Sequence, residues 1–350
     1  MTLNRRQLMA TAAGLVAAPA VLRVSGARAQ AAITLRLHHF LPAVSNVHAR
    51  VIAPWAKQVE AASQGKLRVQ VFPAMQLGGT PPQLFDQARD GVVDIVYTLP
   101  GYTPGRFPMT EAFELPFIAD RRSAVTSPAA WEFAQAHLGA DTRDVKLLSF
   151  WCHDGGVIHA TRKMESLADL KGLKLRFPTR LAGEALRAAG AAPIGMPVTQ
   201  VPESLAQRVL DGAVVPWEVA PSIKLPDLAR NHLDVPGNPT LYTATFFMVM
   251  NKARFEGLPV EFRQIIDDTT SGTFARAAGA SSDASSAEVE AAVRKGGRNT
   301  FATLSEAEKV LWVKACEPIH AQWAEQMKAR GADGLALIED VRKRIAKNAA

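Results

Sequence analysis

Apolar and polar residues alternate over 33–38 and again over 67–72, the two-residue period of a strand with one face buried. Between them, over 49–63, apolar positions recur at helical spacing, and Gly65 closes the segment. A helical pattern over 80–90 and an apolar run over 92–98 complete a β-α-β-α-β order, which predicts parallel strands with helices on their faces. The same grammar then resumes. Ser127 and Pro128 predict an N-cap and first helical residue for a helix to about His137. Strands are expected at 145–151, 157–161, 173–177, 213–217 and 243–250, and helices at 180–190 and 199–211, with a short helical turn at 166–170. The stretch 260–295 has no proline and is rich in Ala, Glu and Arg, so it predicts one or two long helices. Ser305 and Glu308 form a capping-box pair for a helix to about Arg330.

The first thirty residues break this pattern. Adjacent Arg5 and Arg6 precede an uncharged run from Met9 to Leu22, and Ala27-Arg28-Ala29 follows before Gln30. That is the layout of a twin-arginine export signal with a small-x-small cleavage site. The run of about 14 residues falls short of the roughly 20 that span a bilayer. The mature chain is therefore expected to start near Gln30, in the periplasm, without a membrane insertion. Its charge changes accordingly. The whole chain has 40 Lys+Arg against 33 Asp+Glu, and Arg5, Arg6, Arg23 and Arg28 leave with the signal, so 36 face 33. A balance of +3 with no dense basic cluster excludes a nucleic-acid footprint. The remaining 321 residues, 30–350, exceed the usual single-domain size, and two lobes are expected. Cys152 and Cys316 either pair or remain buried thiols.

Motifs for catalysis are missing. There is no Gly-x-Ser-x-Gly elbow, phosphate-cradling glycine loop or His-Glu-x-x-His, and no metal-ligand cluster or cofactor motif. Cys152-His153-Asp154 is a nucleophile-like trio, but triads are assembled across a fold rather than from neighbours. Arg176 carries the more useful chemistry. It sits in LKGLKLRFP (170–178), at the end of an expected strand, and a guanidinium there offers a carboxylate two parallel hydrogen bonds. A surface or salt-bridged arginine is the plain alternative.

That segment, with PAMQLGG (73–79), DGVVDIVY (90–97), GRFPMTEAFELPF (105–117), GMPVTQVPESL (195–205), VLDGAVVPWE (209–218) and MVMNKARFEGLP (248–259), resembles the substrate-binding proteins of tripartite ATP-independent periplasmic (TRAP) transporters, the dicarboxylate-binding-protein family. The resemblance spans about 33–336. It implies an α/β, two-lobed periplasmic binding protein (type II-like), with mixed sheets flanked by helices and a long helix crossing both lobes. Under it, 30–152 with a return strand near 240–255 form the first lobe. Residues 153–239 with C-terminal helices near 300–350 form the second, and 260–295 is the connecting helix. The implied function is capture of an organic acid, without cofactor or metal, for the small and large subunits of a membrane permease. An exported enzyme acting on an organic acid, or a protein presenting its ligand to a sensor kinase, are the rival readings.

Arg176 matches the arginine that in this family pairs with the ligand carboxylate. The departures concern the rest of the ligand. Sialic-acid-binding members carry a second arginine where this chain has Gly155 to His159, an asparagine where it has Val215, a phenylalanine at Val198 and an acidic residue near Leu99. One cationic anchor with apolar walls favours a monocarboxylate with an aromatic or branched hydrophobic body. The expected ligand-binding residues are Arg176, Trp217, Phe40, Tyr102, His159, Val215, Phe246 and Tyr97, with Trp151 a further wall. Glu218 is either a partner orienting Arg176 or an exposed strand-end carboxylate. Ligand touching both lobes, Arg176 on one side and Phe40 and Tyr102 on the other, would draw the cleft closed.

Overall fold

The structure, a computed structural model, describes residues 32–350, so the export-signal reading of 1–29 lies outside the described residues. Two mixed sheets organise the chain. The first contains β1 (Ile33–His39), β2 (Leu67–Phe72), β3 (Ile95–Thr98), β4 (Val145–Cys152) and β10 (Thr245–Asn251), in the order β2-β1-β3-β10-β4. β1 runs parallel to β2 and β3, while β10 lies antiparallel between β3 and β4. The second contains β5 (Val157–Ala160), β6 (Lys174–Phe177), β7 (Ala192–Gly195), β8 (Gly212–Val215), β9 (Asn231–Asp234) and β11 (Thr300–Thr303), in the order β11-β9-β5-β8-β6-β7. The fold is thus the two-lobed α/β arrangement with helices against both sheets.

The central strands are legible as such. β10 reads TFFMVMN, apolar on both faces, and all but its last residue are buried, as a strand covered on two sides requires. Phe247 at its middle is packed by the rings of Phe85, Phe107 and Phe150. The strands the pattern does not announce lie toward the ends of the second sheet: β9 reads NHLD, β11 reads TFAT, and β7 contains Pro193. A proline is tolerated on an edge strand, where its missing N–H costs no ladder bond.

Two helices depart from expectation for physical reasons. The helix expected to open at Ser127 opens four residues earlier, as Ser123–His137 with Pro128 inside it. Its start is capped from a distance: the N–H groups of Ser123 and Ala124 donate to the Asp283 carboxylate at 2.7 and 2.9 Å. The carbonyl of Ala124, which a proline four residues on cannot serve, accepts from Arg276 Nη1 at 3.2 Å instead. The helix expected over 199–211 stops after Val201–Ala206, because Arg208 takes a left-handed conformation (φ 58°) and Val209 N–H closes back on Ser204 O.

The stretch 260–295 forms two helices, Val260–Thr269 and Gly272–Lys295. The longer one buries a stripe of small residues, Ala275, Ala278, Gly279, Ser282, Ser285 and Ser286, against Ser123–His137 and β4. A Cβ on Gly279 would stand 2.4 Å from Ser123 O, so the crossing demands glycine. This helix reaches the second lobe as well, where Ser286 Oγ accepts from Glu218 N–H (2.9 Å) and Arg294 covers the Phe301 ring of β11. Of the C-terminal helices, Glu306–Lys328 packs on Arg180–Ala188 of the second lobe. Gly334–Ala349 does not stay there, as the expectation had it: it packs on Ser123–His137 of the first lobe, where Asp340 pairs with His137 at 2.8 Å.

Candidate functional site

Strand β6 delivers Arg176 to the interior, 2% exposed, between its neighbours β7 and β8. Two of the five guanidinium N–H groups are spent on those flanks: Nε donates to Met196 O (2.9 Å) and Nη1 to Val214 O (3.3 Å). Among the described residues no carboxylate stands within ion-pair distance of Arg176. Burial pulls its pKa down, yet a guanidinium starts so high that it keeps its charge. A buried cation with spare donors and no counter-charge is costly unless an anion completes it.

Arg176 faces a cavity with about 380 Å³ of empty space. Phe40, Tyr97, Tyr102, Val215 and Phe246 line it with Arg176, so six of the eight expected site residues are brought together. The aromatic members form a shelf along the first sheet. Tyr97 on β3 stacks on Phe40 beyond β1 (centroids 5.5 Å, planes 11° apart) and on Phe246 of β10 (5.2 Å). Tyr102 meets Phe40 edge-on, and its hydroxyl accepts from Val198 N–H at 3.1 Å, a contact between the lobes. Trp151 lies behind, stacked on Tyr97 at 5.3 Å and against Phe274, outside the lining.

Trp217 and His159 do not reach the cavity. Val215, the last residue of β8, lines the cavity; Trp217, two residues past the end of the strand, packs instead into a buried cluster with His159, His232 and Phe301. His159 bridges Val215 O and His232 Nδ1 there, and burial pushes its pKa down to about 3. Both side chains support the strand that carries Val215 rather than the space in front of it.

Three polar lining groups complete the site: His153 and Tyr242, which the expected ligand-binding residues did not include, and Glu218. His153 donates from Nδ1 to Asp154 O, while its Nε2 accepts from Ala244 N–H at 3.0 Å. Both ring nitrogens are committed to backbone, and burial lowers its pKa to about 4, so it is neutral. Tyr242 places a buried hydroxyl with no partner at the cavity. Its ring lies so close to Gly156 that a Cβ there would stand 1.9 Å from Tyr242 Cε1. Glu218 is neither of the things expected of it. It is 8% exposed, lines the cavity, makes no bond to Arg176, and its Oε2 has no partner. Burial raises its pKa to about 7, with the Asn46 amide opposing. A signal for Tyr242 was available: the chain has 15 Phe but 3 Tyr, and all three tyrosines line the cavity.

The Cys152-His153-Asp154 trio does not form a catalytic unit. Cys152 lies outside the cavity lining, burial holds its thiol protonated, and the His153 nitrogens are occupied. Cys152 and Cys316 are both buried free thiols. Among the described residues no His, Cys, Asp and Glu side chains gather as a metal site.

Residues 37–326 match the model of the bacterial extracellular solute-binding proteins, family 7 (DctP). The chain belongs to that family. Solved structures of similar proteins agree in fold. A TRAP solute-binding protein from Rhodoferax ferrireducens, in complex with copurified benzoate, is 39% identical with a TM-score of 0.87, over 91% of this chain and 98% of that one. A marine metagenome protein specific for aromatic acid ligands, with 3-hydroxybenzoate, is 41% identical at 0.88, over 91% and 99%. One from Bordetella bronchiseptica with bound (R)- and (S)-mandelate is 28% identical at 0.83, over 90% and 99%. The members of family 7 are solute-binding receptors, and among the described residues no helix is long and apolar enough to cross a membrane.

Proposed function

We propose that this protein is a periplasmic TRAP receptor that captures an aromatic monocarboxylate and delivers it to the small and large subunits of a membrane permease. The observation that carries the reading is the buried, uncompensated guanidinium of Arg176 facing a stacked aromatic shelf. The carboxylate pairs with the free N–H groups of Arg176, joined by the Tyr242 hydroxyl. The ring lies against Phe40, Tyr97 and Phe246, where offset or edge-on aromatic contacts add to area burial. Val215 and Val198 keep the opposite wall apolar, which disfavours a hydroxyl-rich sugar acid whose polar groups would go unpaired. Similarity to receptors that hold benzoate, 3-hydroxybenzoate and mandelate supports the same class. The ligand binds groups of both lobes, so it shifts the population toward the closed cleft.

The test is a thermal-shift panel on the mature protein with benzoate, 3-hydroxybenzoate, mandelate, a branched-chain 2-keto acid, succinate and N-acetylneuraminate. A binder at a hundred times its Kd stabilises by about 2.7 kcal/mol. The aromatic acids are expected to raise the melting temperature in a concentration-dependent way. A response confined to succinate or the sugar acid would refute the reading.

A further inference from the structure

We propose that Glu218 reads a second polar group on the ligand, so that the preferred ligand is a ring-hydroxylated aromatic acid rather than benzoate itself. This rests on the aromatic-acid reading and narrows it.

The cavity holds two orphaned polar atoms besides the spare donors of Arg176: Tyr242 Oη and Glu218 Oε2, both buried and without partners. A ligand carboxylate has about four lone-pair positions, enough for Arg176 and for Tyr242, whose hydroxyl lies within the field of that guanidinium. It cannot also serve Glu218. An ionised Glu218 would repel it, and Glu218 stands apart from Arg176, with no bond between them among the described residues. Some other part of the ligand has to meet Oε2.

The geometry around Glu218 fixes which atom is on offer. Its backbone N–H donates to Ser286 Oγ of the long helix (2.9 Å), so the residue is held in place. Asn46 Oδ1 is taken by Ser281 Oγ (3.1 Å), which leaves the Asn46 amide N–H for the carboxyl beside it. Oε2 itself has no partner. A plain benzene ring would leave the already buried Oε2 without a partner, and a ring hydroxyl that meets it removes that penalty, a gain of about fivefold to a hundredfold in affinity. A phenolic hydroxyl fits either protonation state, since it accepts from the neutral acid and donates to the carboxylate.

The experiment is isothermal titration of the mature protein and of Glu218→Gln and Glu218→Leu with benzoate, 3-hydroxybenzoate and 4-hydroxybenzoate. Wild type is expected to prefer one hydroxy acid over benzoate by about tenfold or more. Glu218→Gln, which keeps a hydrogen-bonding end, should hold most of that preference. Glu218→Leu should lose it. Benzoate bound by wild type as tightly as both hydroxy acids, or a preference that survives in Glu218→Leu, would overturn the inference and leave the aromatic-acid reading standing. Failure of all three acids to bind wild type would overturn the inference, and no binding of mandelate either would overturn the aromatic-acid reading with it. The wild-type comparison decides even if the leucine variant does not fold.

Discussion

Replacing Arg176 by methionine separates binding from stability, because the two respond in opposite directions. In the empty protein the guanidinium donates to Met196 O and Val214 O, and losing two such bonds costs about 1 kcal/mol each. Against this stands the relief of a desolvated cation without a counter-charge, an effect of several kcal/mol. The apo melting temperature is therefore expected to hold or rise. Binding has no such offset. A ligand carboxylate would enter the same dry space without its cation, a loss of roughly 2–5 kcal/mol, or about 30- to 5,000-fold in affinity. The Tyr242 hydroxyl remains, which favours the lower half of that range. Arg176→Lys should fall between, since an ammonium keeps the charge but not the planar fork. Calorimetry with the tightest acid of the panel, paired with apo melting curves, measures both quantities. An Arg176→Met protein that stays folded and loses less than about threefold in affinity would show that the carboxylate sits elsewhere.

Other outcomes follow from the same geometry. Benzoate affinity is expected to fall as pH rises from 6 to 8: a ring against Glu218 buries it further, so its pKa in the complex lies above the value of about 7 in the free protein, and binding takes up a proton; titration in buffers of different ionisation enthalpy detects that uptake. Glu114, fully buried with Oε1 accepting from Thr245 N–H and Oγ1, has its pKa raised to about 8. The folded state then keeps a proton that the unfolded chain loses above the ordinary value of 4.5, and stability falls between 4.5 and about 8. Glu114→Gln should thus match wild type at pH 4 and exceed it by on the order of 5 kcal/mol at pH 9, read by denaturant melts. Gly156→Ala, by driving a methyl into the Tyr242 ring, should destabilise by about 1–3 kcal/mol and weaken ligand binding, checked by the same melts and by titration. Trp217→Phe should cost about 1–3 kcal/mol of stability yet leave affinity within a few-fold, as a residue behind the sheet would.

The alternation and helical spacing along the chain were enough to place most elements of the first lobe, because its strands are apolar and its helices amphipathic. β7, β9 and β11 escaped, since short strands of Thr, Asn, Asp and Pro look like loops until a neighbour pairs with them. The start of the Ser123–His137 helix escaped for a related reason: its cap, Asp283, lies 160 residues away. At the site, Arg176 and the aromatic residues could be singled out from type and position. Where β8 ends could not: a strand running to Trp217 would have put Val215 and Trp217 on one face, but it stops at Val215 and the two side chains part company. Glu218 was read as a partner of Arg176 or an exposed strand-end carboxylate because sequence order says neither whether two charges meet nor which strand end is covered.

β10 has a consequence for how the molecule is made. It fills the gap between β3 and β4, pairing Phe247 with Thr98 on one side and Phe150 on the other, after the chain has travelled through the strands β5 to β9. Until residues 245–251 arrive, the first sheet is two fragments with open edges of the kind that template aggregation, and the closing contacts are long-range and slow to form. The second sheet waits longer still, for β11. Neither lobe can mature as an independent unit, so folding of the two is expected to be coupled and late, and a chain cut after Asp234 should be insoluble. The strand that seals the first core also carries Phe246 into the aromatic shelf. Completion of the interior and completion of the binding surface are thereby one event, and a half-made receptor has no half-made shelf to offer.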